Sequence, residues 1–379
     1  MKQLRSFLML VIVLLISFNF LISCKNNKIT DNKIIATTNE YGALYSVLWA
    51  ISPERKAQLL TQYKLNIHLY NQIIAKQNQF ADKINKGKLS LNLVKWEKNN
   101  LIINETSNDE FIPAVAVDLD ETFLDNSPVL AASLLDKRKF NHLNWDKWVK
   151  TQQAKIFAGV LNFVKHIYHN GGMIFFTSNR LQNKHLEDTK KNLINEGFPE
   201  ELLNDALWWM DGKKLKADKV LKEKEDRYEY INNNKVSILG KKVNVRIMMV
   251  IGDDINDFNS NFTNNKGITY RENYMEDNNI QKLFGEPAMA IRFSKENDKI
   301  IKYYANCGQS VDTLLLEKKQ IQEIIKENIC WYKSYSLIGG NAMYGGWDSA
   351  FKKKYFEQHG TSYMKQAIRE YLQKFTSWD

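Results

Sequence analysis

Three short apolar runs, each followed at once by polar side chains, limit the folds open to this chain more than any other feature of its sequence. They span residues 114–117, 173–176 and 247–251. Each run is continuous and lies between segments with helical patterns, as expected of strands buried on both faces of a parallel sheet. We therefore predict an α/β fold in which helices flank a parallel sheet.

Chemically competent residues follow all three predicted strands. Asp118 follows the first strand, Ser178 and Asn179 lie after the second, and Asp253 lies after the third. The carboxyl ends of parallel strands meet at one edge of a sheet, and this edge is where sites form in open α/β folds. The sequence therefore predicts a functional site that brings these side chains together.

Asp118 and Asp120 suggest the kind of chemistry. Residues two apart that leave a strand point the same way, so both carboxylates can face one small volume. They repel each other unless a cation lies between them or one holds a proton. Mg²⁺ prefers such oxygen ligands, and a carboxylate pair can also supply a nucleophile and a general acid. Taken alone, the pair could equally be a loop of acids that caps a helix.

The surrounding residues resemble a known family. The segment 118–128, Asp-Leu-Asp-Glu-Thr-Phe-Leu-Asp-Asn-Ser-Pro, resembles the first motif of the haloacid dehalogenase superfamily. It is most similar to the class C acid phosphatases, secreted bacterial lipoproteins that act as nonspecific phosphatases and 5′-nucleotidases. Segments similar to the other three superfamily motifs follow in order at 177–180, 224–227 and 252–258. A segment similar to a C-terminal signature of the class C enzymes lies at 343–345. The resemblance implies a Rossmann-like core with a smaller helical cap region.

The resemblance implies a role for each of the three aspartates. Asp118 would be the nucleophile that forms an aspartyl-phosphate. Asp120 would protonate the leaving oxygen and then deprotonate the water that hydrolyses the intermediate. Mg²⁺ would be held by the side chain of Asp118, the backbone carbonyl of Asp120 and Asp253.

Further positions carry over as phosphate-binding and supporting residues. Ser178, Asn179 and Lys224 would stabilise the phosphoryl oxygens, as expected for phosphoryl transfer. Asp257 would orient Lys224 rather than contact the metal, and Arg227 would support the same segment. The alternative for Lys224 is an ordinary surface lysine, since the segment 213–222 is rich in lysine, but its spacing from Arg227 favours the phosphate-binding role.

The leaving group of the substrate is less constrained by the sequence. By resemblance, small phosphomonoesters and nucleoside monophosphates above all are the expected substrates, with Phe140 and Tyr344 as an aromatic clamp on the base. Core packing is the alternative for both aromatic residues. Asn179 and Arg180 could also bind a ribose or simply shape their loop. The competing functions are a phosphate-scavenging phosphomonoesterase without base preference and a surface binding lipoprotein with little turnover.

The first 23 residues predict export. Lys2 and Arg5 precede an apolar run over 7–22, which is typical of a signal peptide. The run ends in Leu-Ile-Ser-Cys, which resembles a bacterial lipobox with Cys24 as the lipidated residue; a membrane helix with a terminal cysteine is the alternative. The expected location is the bacterial cell envelope, lipid-anchored at the outer membrane or cell surface.

The rest of the chain is predicted to be a tether and one phosphatase domain. The tether is polar and lacks periodicity. The predicted segments are the signal peptide 1–23, the tether 24–40 and the domain 41–379. The domain is divided into an N-terminal helical region 41–110, a catalytic core 111–285, an insertion 286–336 and a closing segment 337–379. The core includes a helical cap at about 128–160. Within the insertion, Cys307 and Cys330 could pair in an oxidising compartment. The insertion could be a lid, a partner surface or an inert elaboration.

The formal net charge of +10 favours anionic partners in general. The lysines are scattered among asparagines, and the sequence has no compact basic helix and no zinc motif. We therefore predict no specific nucleic-acid partner, and a homo-oligomer stays open.

Overall fold

The computed structural model describes residues 45–81, 88–135, 141–215, 220–258, 271–273, 275–276, 278–291 and 330–339. All of these except residues 45 and 46 belong to one compact unit, Val47–Asp379. Several sequence predictions lie outside the described residues and stay predictions: the signal peptide, the tether with Cys24, Phe140, Cys307 and Tyr344.

The described chain contains twelve strands, of which six form the main sheet. In chain order they are β1 Lys88–Leu89, β2 Val94–Glu97, β3 Asn100–Ile103, β4 Glu110–Val117, β5 Leu124–Asp125, β6 Lys155–Ile156, β7 Met173–Phe176, β8 Val236–Ile238, β9 Lys241–Val243, β10 Val245–Gly252, β11 Ala288–Ile291 and β12 Cys330–Leu337. The strands β4, β7 and β10 contain the three predicted apolar runs, which confirms those predictions.

The main sheet is parallel except at one edge. β4 pairs in parallel with β10 on one side, and on the other with β7 and, near its beginning, with β1. β12 pairs in parallel with β10, and β11 closes the edge in antiparallel orientation. The remaining strands form three two-stranded pairs, β2 with β3, β5 with β6 and β8 with β9. The predicted α/β fold with a parallel sheet and flanking helices is confirmed.

The strands are accompanied in the described chain by the helices α1 Pro53–Ala81, α2 Ser127–Leu135, α3 His142–Thr151, α4 Val160–His169, α5 Gln182–Asn195, α6 Lys224–Asn233 and α7 Asn278–Gln281. Residues 45–50 are helical as well. None of the described helices is long and apolar enough to cross a membrane. The central strands are buried because helices cover both faces of the sheet, and every residue of β4 after Glu110 is buried.

The long helix α1 begins where its sequence predicts. The hydroxyl of Ser52 accepts a hydrogen bond from the backbone N–H of Arg55 at 3.1 Å, so Ser52 acts as the N-cap. Leu60, Tyr63, Ile67, Tyr70 and Ile74 stand at helical spacing in the sequence, which predicts an apolar stripe along this helix. Tyr63 and Tyr70 are buried, as that stripe requires, whereas Leu60 is exposed and the neighbouring Leu59 is buried instead.

The predicted subdivisions of the domain stay predictions, and the elements of the described chain fall within them as follows. The segment 41–110 contains α1 but also the strands β1, β2 and β3. The predicted cap, 128–160, contains most of α2 and all of α3; α3 is tied to α5 by Asp146, which contacts Lys184 and lies 2.8 Å from the Nε2 atom of His185. The two ends of the predicted insertion, 286–336, overlap the strands β11 and β12 of the main sheet. Its middle, 292–329, lies outside the described residues.

Candidate active site

The carboxyl ends of β4, β7 and β10 meet at one edge of the sheet. Val117, the last residue of β4, pairs with Phe176 of β7 and Ile251 of β10. The ladder continues one residue further, because the N–H of Thr177 donates to the carbonyl of Val117 at 2.8 Å and the N–H of Asp118 donates to that of Ile251 at 2.9 Å. This register brings the polar segments that follow the three strands together, as the apolar runs predict.

Three carboxylates form a compact group at this edge. Asp118, Asp253 and Asp257 each offer an oxygen, and these oxygens lie within 4.8 Å of one another. Asp118 and Asp257 are buried, whereas Asp253 is half-buried. The hydroxyl of Thr122 lies 3.4 Å from carboxylate oxygens of both Asp118 and Asp253. From the sequence Asp257 is expected only to orient Lys224, but the structure also places its carboxylate in this group.

The donor set of this group fits a hard divalent cation. Mg²⁺ binds carboxylate oxygens, usually one or two, together with water and substrate phosphate. Three carboxylates this close repel one another unless positive charge lies among them. Lys224 supplies one positive charge, and a divalent cation would balance the remainder.

Lys224, the first residue of α6, is buried between two of these acids. Its ammonium group contacts the carboxylate of Asp118 and lies 2.7 Å from that of Asp257. The side chain is only 5% exposed, so Lys224 is not a surface lysine. Burial acts to lower the pKa of Lys224, but the charges of Asp118 and Asp257 outweigh it and raise the pKa. Lys224 is therefore a fixed cation beside the predicted nucleophile.

Burial has the opposite consequence for the carboxylates around Lys224. It raises the pKa of Asp118 to about 7, although the nearby charge of Lys224 acts to lower it. Burial also raises the pKa of Asp257. Both shifts express the cost of holding negative charge away from water, and additional positive charge at this edge would oppose them.

The segment around Ser178 is held by Arg227. Arg227 is buried, and its guanidinium donates to the backbone carbonyl of Ser178 at 2.9 Å and to that of Lys222 at 2.8 Å. Ser178 is itself buried, whereas the neighbouring Asn179 is exposed. The predicted phosphate-binding loop thus lies at the sheet edge, and Arg227 braces it against the loop that precedes α6.

The carboxylate of Asp120 lies outside the group of three acids and faces Arg180 instead. The Nε atom of Arg180 donates to both oxygens of this carboxylate, at 3.0 and 3.1 Å, and its Nη2 atom donates to Oδ1 at 2.6 Å. Asn126 also donates to Oδ1, at 2.8 Å. The two predicted catalytic acids therefore have different partners: Asp118 has Lys224, and Asp120 has Arg180 and Asn126.

Several contributors to the site carry no local signal that identifies them. Tyr63 belongs to the apolar stripe of α1, yet its hydroxyl donates to the carbonyl of Thr122 at 2.6 Å and so braces the loop after β4. Trp148 lies within the helix α3, and its indole donates to Asn126 at 2.7 Å. In each case the sequence shows only an aromatic residue in a helix, and its hydrogen-bond partner, 59 or 22 residues away, is set by the tertiary structure.

Comparison with known proteins supports the same family. The family model for the HAD superfamily, subfamily IIIB (Acid phosphatase), matches residues 47–289. The structure is similar to that of a class C acid phosphatase from Bacillus anthracis with tungstate bound, with a TM-score of 0.54 and 22% identity over 89% of this chain and 98% of that one. A second structure of the Bacillus anthracis class C enzyme gives a TM-score of 0.53, also at 22% identity.

A curated plant relative matches a shorter stretch. Acid phosphatase 1 from Solanum lycopersicum is 30% identical over 81 residues, which is 21% of this chain and 31% of that protein. The chain thus matches about a third of the length of this relative.

Proposed function

The chain belongs to the subfamily IIIB acid phosphatases of the HAD superfamily, and from this membership we propose that it hydrolyses phosphomonoesters through an aspartyl-phosphate on Asp118. One observation carries the proposal: the buried carboxylate of Asp118 lies against Lys224 and within 4.8 Å of two further carboxylates. A phosphate-transfer site needs an oxygen nucleophile, a fixed cation for the phosphoryl oxygens and a place for a divalent metal ion. The arrangement around Asp118 offers all three.

In the first step, an oxygen of Asp118 attacks phosphorus and the bond from phosphorus to the leaving oxygen breaks. Asp120 gives its proton to that leaving oxygen, so an alcohol departs and an acyl phosphate remains on Asp118. In the second step, Asp120 removes a proton from water as the water attacks phosphorus. The bond from phosphorus to Asp118 breaks, inorganic phosphate leaves, and Asp120 again carries the proton.

The other polar residues of the site would bind the phosphoryl group. Lys224, Ser178 and Asn179 would stabilise the equatorial oxygens as charge shifts in the transition state. Asp118, Asp253 and the backbone carbonyl of Asp120 would hold Mg²⁺, which when bound reduces the repulsion between the attacking carboxylate and the phosphate dianion. Asp257 would hold Lys224 in position.

We propose nucleoside monophosphates as the preferred substrates. The support is the resemblance of the sequence to class C enzymes, with Phe140 and Tyr344 as the candidate clamp. A base stacked on an aromatic ring gains about 1–3 kcal/mol, which would raise affinity for nucleotides over other phosphomonoesters. Comparing kcat/KM for nucleoside monophosphates, sugar phosphates and p-nitrophenyl phosphate tests this point, and equal values would favour a scavenging phosphomonoesterase without base preference.

We also propose that the protein is exported and lipid-anchored through Cys24. The support is the cationic start, the apolar run over 7–22 and the lipobox-like ending. Mass spectrometry of the N-terminal peptide after expression in a bacterium would detect an acylated Cys24. The variant Cys24→Ser should remove the lipid and shift the protein from the membrane to the soluble fraction.

The central test uses the protein lacking residues 1–24, assayed with Mg²⁺ and with a chelator, beside Asp118→Asn. We expect turnover that requires the metal and is lost in the variant. Asp226 lies exposed on α6, so Asp226→Asn is a matched control that should retain activity. Activity retained in Asp118→Asn, after deamidation has been excluded, would remove the covalent mechanism. Binding of phosphomonoesters without turnover would favour a binding lipoprotein.

A further inference from the structure

Arg180 makes a forked contact with the carboxylate of Asp120. Two nitrogens of its guanidinium donate to this carboxylate, at distances of 2.6 to 3.1 Å. A guanidinium fork fixes the position of a carboxylate as well as the plane in which it lies. A single ammonium group would fix only the distance. The contact therefore specifies the direction in which each oxygen of Asp120 points.

The guanidinium of Arg180 is itself immobilised. Its Nη1 atom donates to the hydroxyl of Thr189 at 2.9 Å, and its Cζ atom lies 5.6 Å from the centre of the Trp145 ring. The side chain of Arg180 is 1% exposed, whereas that of Asp120 is 19% exposed. A substrate entering from solvent can reach the carboxylate but not the guanidinium, so the geometry argues against a role for Arg180 in binding ribose or phosphate.

The two oxygens of Asp120 are not equivalent. Oδ1 accepts from the Nε and Nη2 atoms of Arg180 and from the Nδ2 atom of Asn126. Within the described chain, Oδ2 accepts one hydrogen bond, from Nε of Arg180 at 3.1 Å. Three donors saturate Oδ1, because a carboxylate oxygen has two lone pairs. Oδ2 is left with the capacity to hold a proton and to pass it on.

From these contacts we propose that Arg180 is the positioning residue of Asp120, and that it presents Oδ2 as the oxygen that exchanges the proton. The inference rests on the proposed phosphatase function, since it concerns the residue that orients the general acid–base of that reaction. In the first step the proton leaves Oδ2 for the departing oxygen, and in the second step Oδ2 takes a proton from water. Arg180 touches neither the substrate nor the phosphoryl group.

The proposal makes a prediction that depends on the leaving group. An alkoxide needs a proton to depart, whereas dinitrophenolate departs without one. The ratio kcat/KM reports the steps up to formation of the aspartyl-phosphate, so it isolates the first proton transfer. We expect Arg180→Gln to lower kcat/KM about 100-fold for a nucleoside 5′-monophosphate and less than about 5-fold for 2,4-dinitrophenyl phosphate.

A double-mutant cycle with Asp120 separates positioning from other roles. Asp120→Asn should show the same dependence on the leaving group. If Arg180 acts through Asp120, adding Arg180→Gln to Asp120→Asn should lower kcat/KM by less than about twofold more, because the two residues act as one unit. Each variant is assayed at its own pH of maximal activity. Lys191→Gln, which removes an exposed cation on α5, is the control.

Arg180→Lys is the control for a loss of folding in Arg180→Gln, since lysine keeps a positive charge in the buried position. It should unfold within a few degrees of the wild type and recover only part of the activity, because lysine lacks the fork. Equal losses of kcat/KM with both substrates, or multiplicative losses in the double variant, would overturn the proposal. A wild-type enzyme inactive on both substrates would instead refute the proposed function itself.

Discussion

The two proposed catalytic acids, Asp118 and Asp120, have different surroundings although only one residue separates them. Asp118 is buried against Lys224, within a group of carboxylates contributed by the sheet edge. Asp120 is partly exposed and is held by Arg180 and Asn126, on the side of the predicted cap. We call the surroundings of Asp118 the nucleophile side and the surroundings of Asp120 the acid–base side. On the nucleophile side three carboxylates outnumber one ammonium group, whereas on the acid–base side one carboxylate pairs with one guanidinium.

This difference corresponds to what each acid has to do. A nucleophile that attacks a phosphate dianion needs positive charge close by, so a surplus of carboxylates that attracts a cation is useful there. An acid–base residue needs a fixed direction and access to the leaving oxygen, so a forked partner behind it suits that role. The comparison predicts that changes on the two sides have separable effects.

The largest effect is expected from Lys224→Met on the nucleophile side. Removing a fixed charge that faces the transition state lowers kcat by about 10²–10³-fold. Without metal the variant should also be less stable by roughly 3–5 kcal/mol, because Asp118 and Asp257 lose their buried partner. Stopped assays and chemical denaturation measure the two quantities.

Lys222→Met is the matched control for this change, since Lys222 is exposed two residues before Lys224. It should retain both activity and stability. Equal behaviour of the two variants would mean that the buried lysine does not serve the reaction.

Binding of a divalent cation beside Asp118 should stabilise the folded protein by an amount that depends on pH. The pKa of Asp118 is raised by burial from 3.8 to about 7, so between these values the metal-free folded protein binds more protons than the unfolded chain. Its free energy of unfolding should therefore fall as the pH rises through this window. A cation competes with those protons, so Mg²⁺ should raise the Tm more at pH 7.5 than at pH 5.

Thermal unfolding with and without Mg²⁺ at both pH values measures this difference. Asp257→Asn should reduce it, while the exposed Asp226→Asn should not. A metal-induced shift that is the same at both pH values would contradict the link between burial of these acids and cation binding.

The smallest effect is expected from Trp148→Phe on the acid–base side. The change removes the hydrogen bond from the indole to Asn126, which is 2.7 Å long, and lets the amide turn away from Asp120. The loss of one hydrogen bond is worth about 1 kcal/mol, so kcat/KM for a nucleotide should fall about fivefold. The Mg²⁺-dependent rise in Tm should not change.

Trp96→Phe is a close control, because the indole of Trp96 also donates a 2.7 Å hydrogen bond, to Glu201. It should leave kcat/KM unchanged. If Trp148→Phe altered the response to Mg²⁺ instead, the two sides of the site would not be separable.

The sequence predicts the central strands and the position of the site well. β4, β7 and β10 are continuous apolar runs, and such runs form buried strands whatever the details of their neighbours. The register of a parallel sheet then brings the residues after each strand together. β12 is not predicted, because its sequence, Cys-Trp-Tyr-Lys-Ser-Tyr-Ser-Leu, is neither a continuous apolar run nor a strict alternation of apolar and polar residues. It pairs with β10 and β11 only in the tertiary structure.

By itself, the sequence determined that Asp118, Ser178 and Asp253 would meet at one edge, since that outcome depends on local apolar runs and on the geometry of parallel strands. Only the tertiary structure decided which charges pair: Arg180 with an acid 60 residues away, and Lys224 with two acids from separate loops. The physical reason is that a charged side chain is buried only where a partner balances its charge. That partner is defined by how distant segments pack, which no local pattern of residues records.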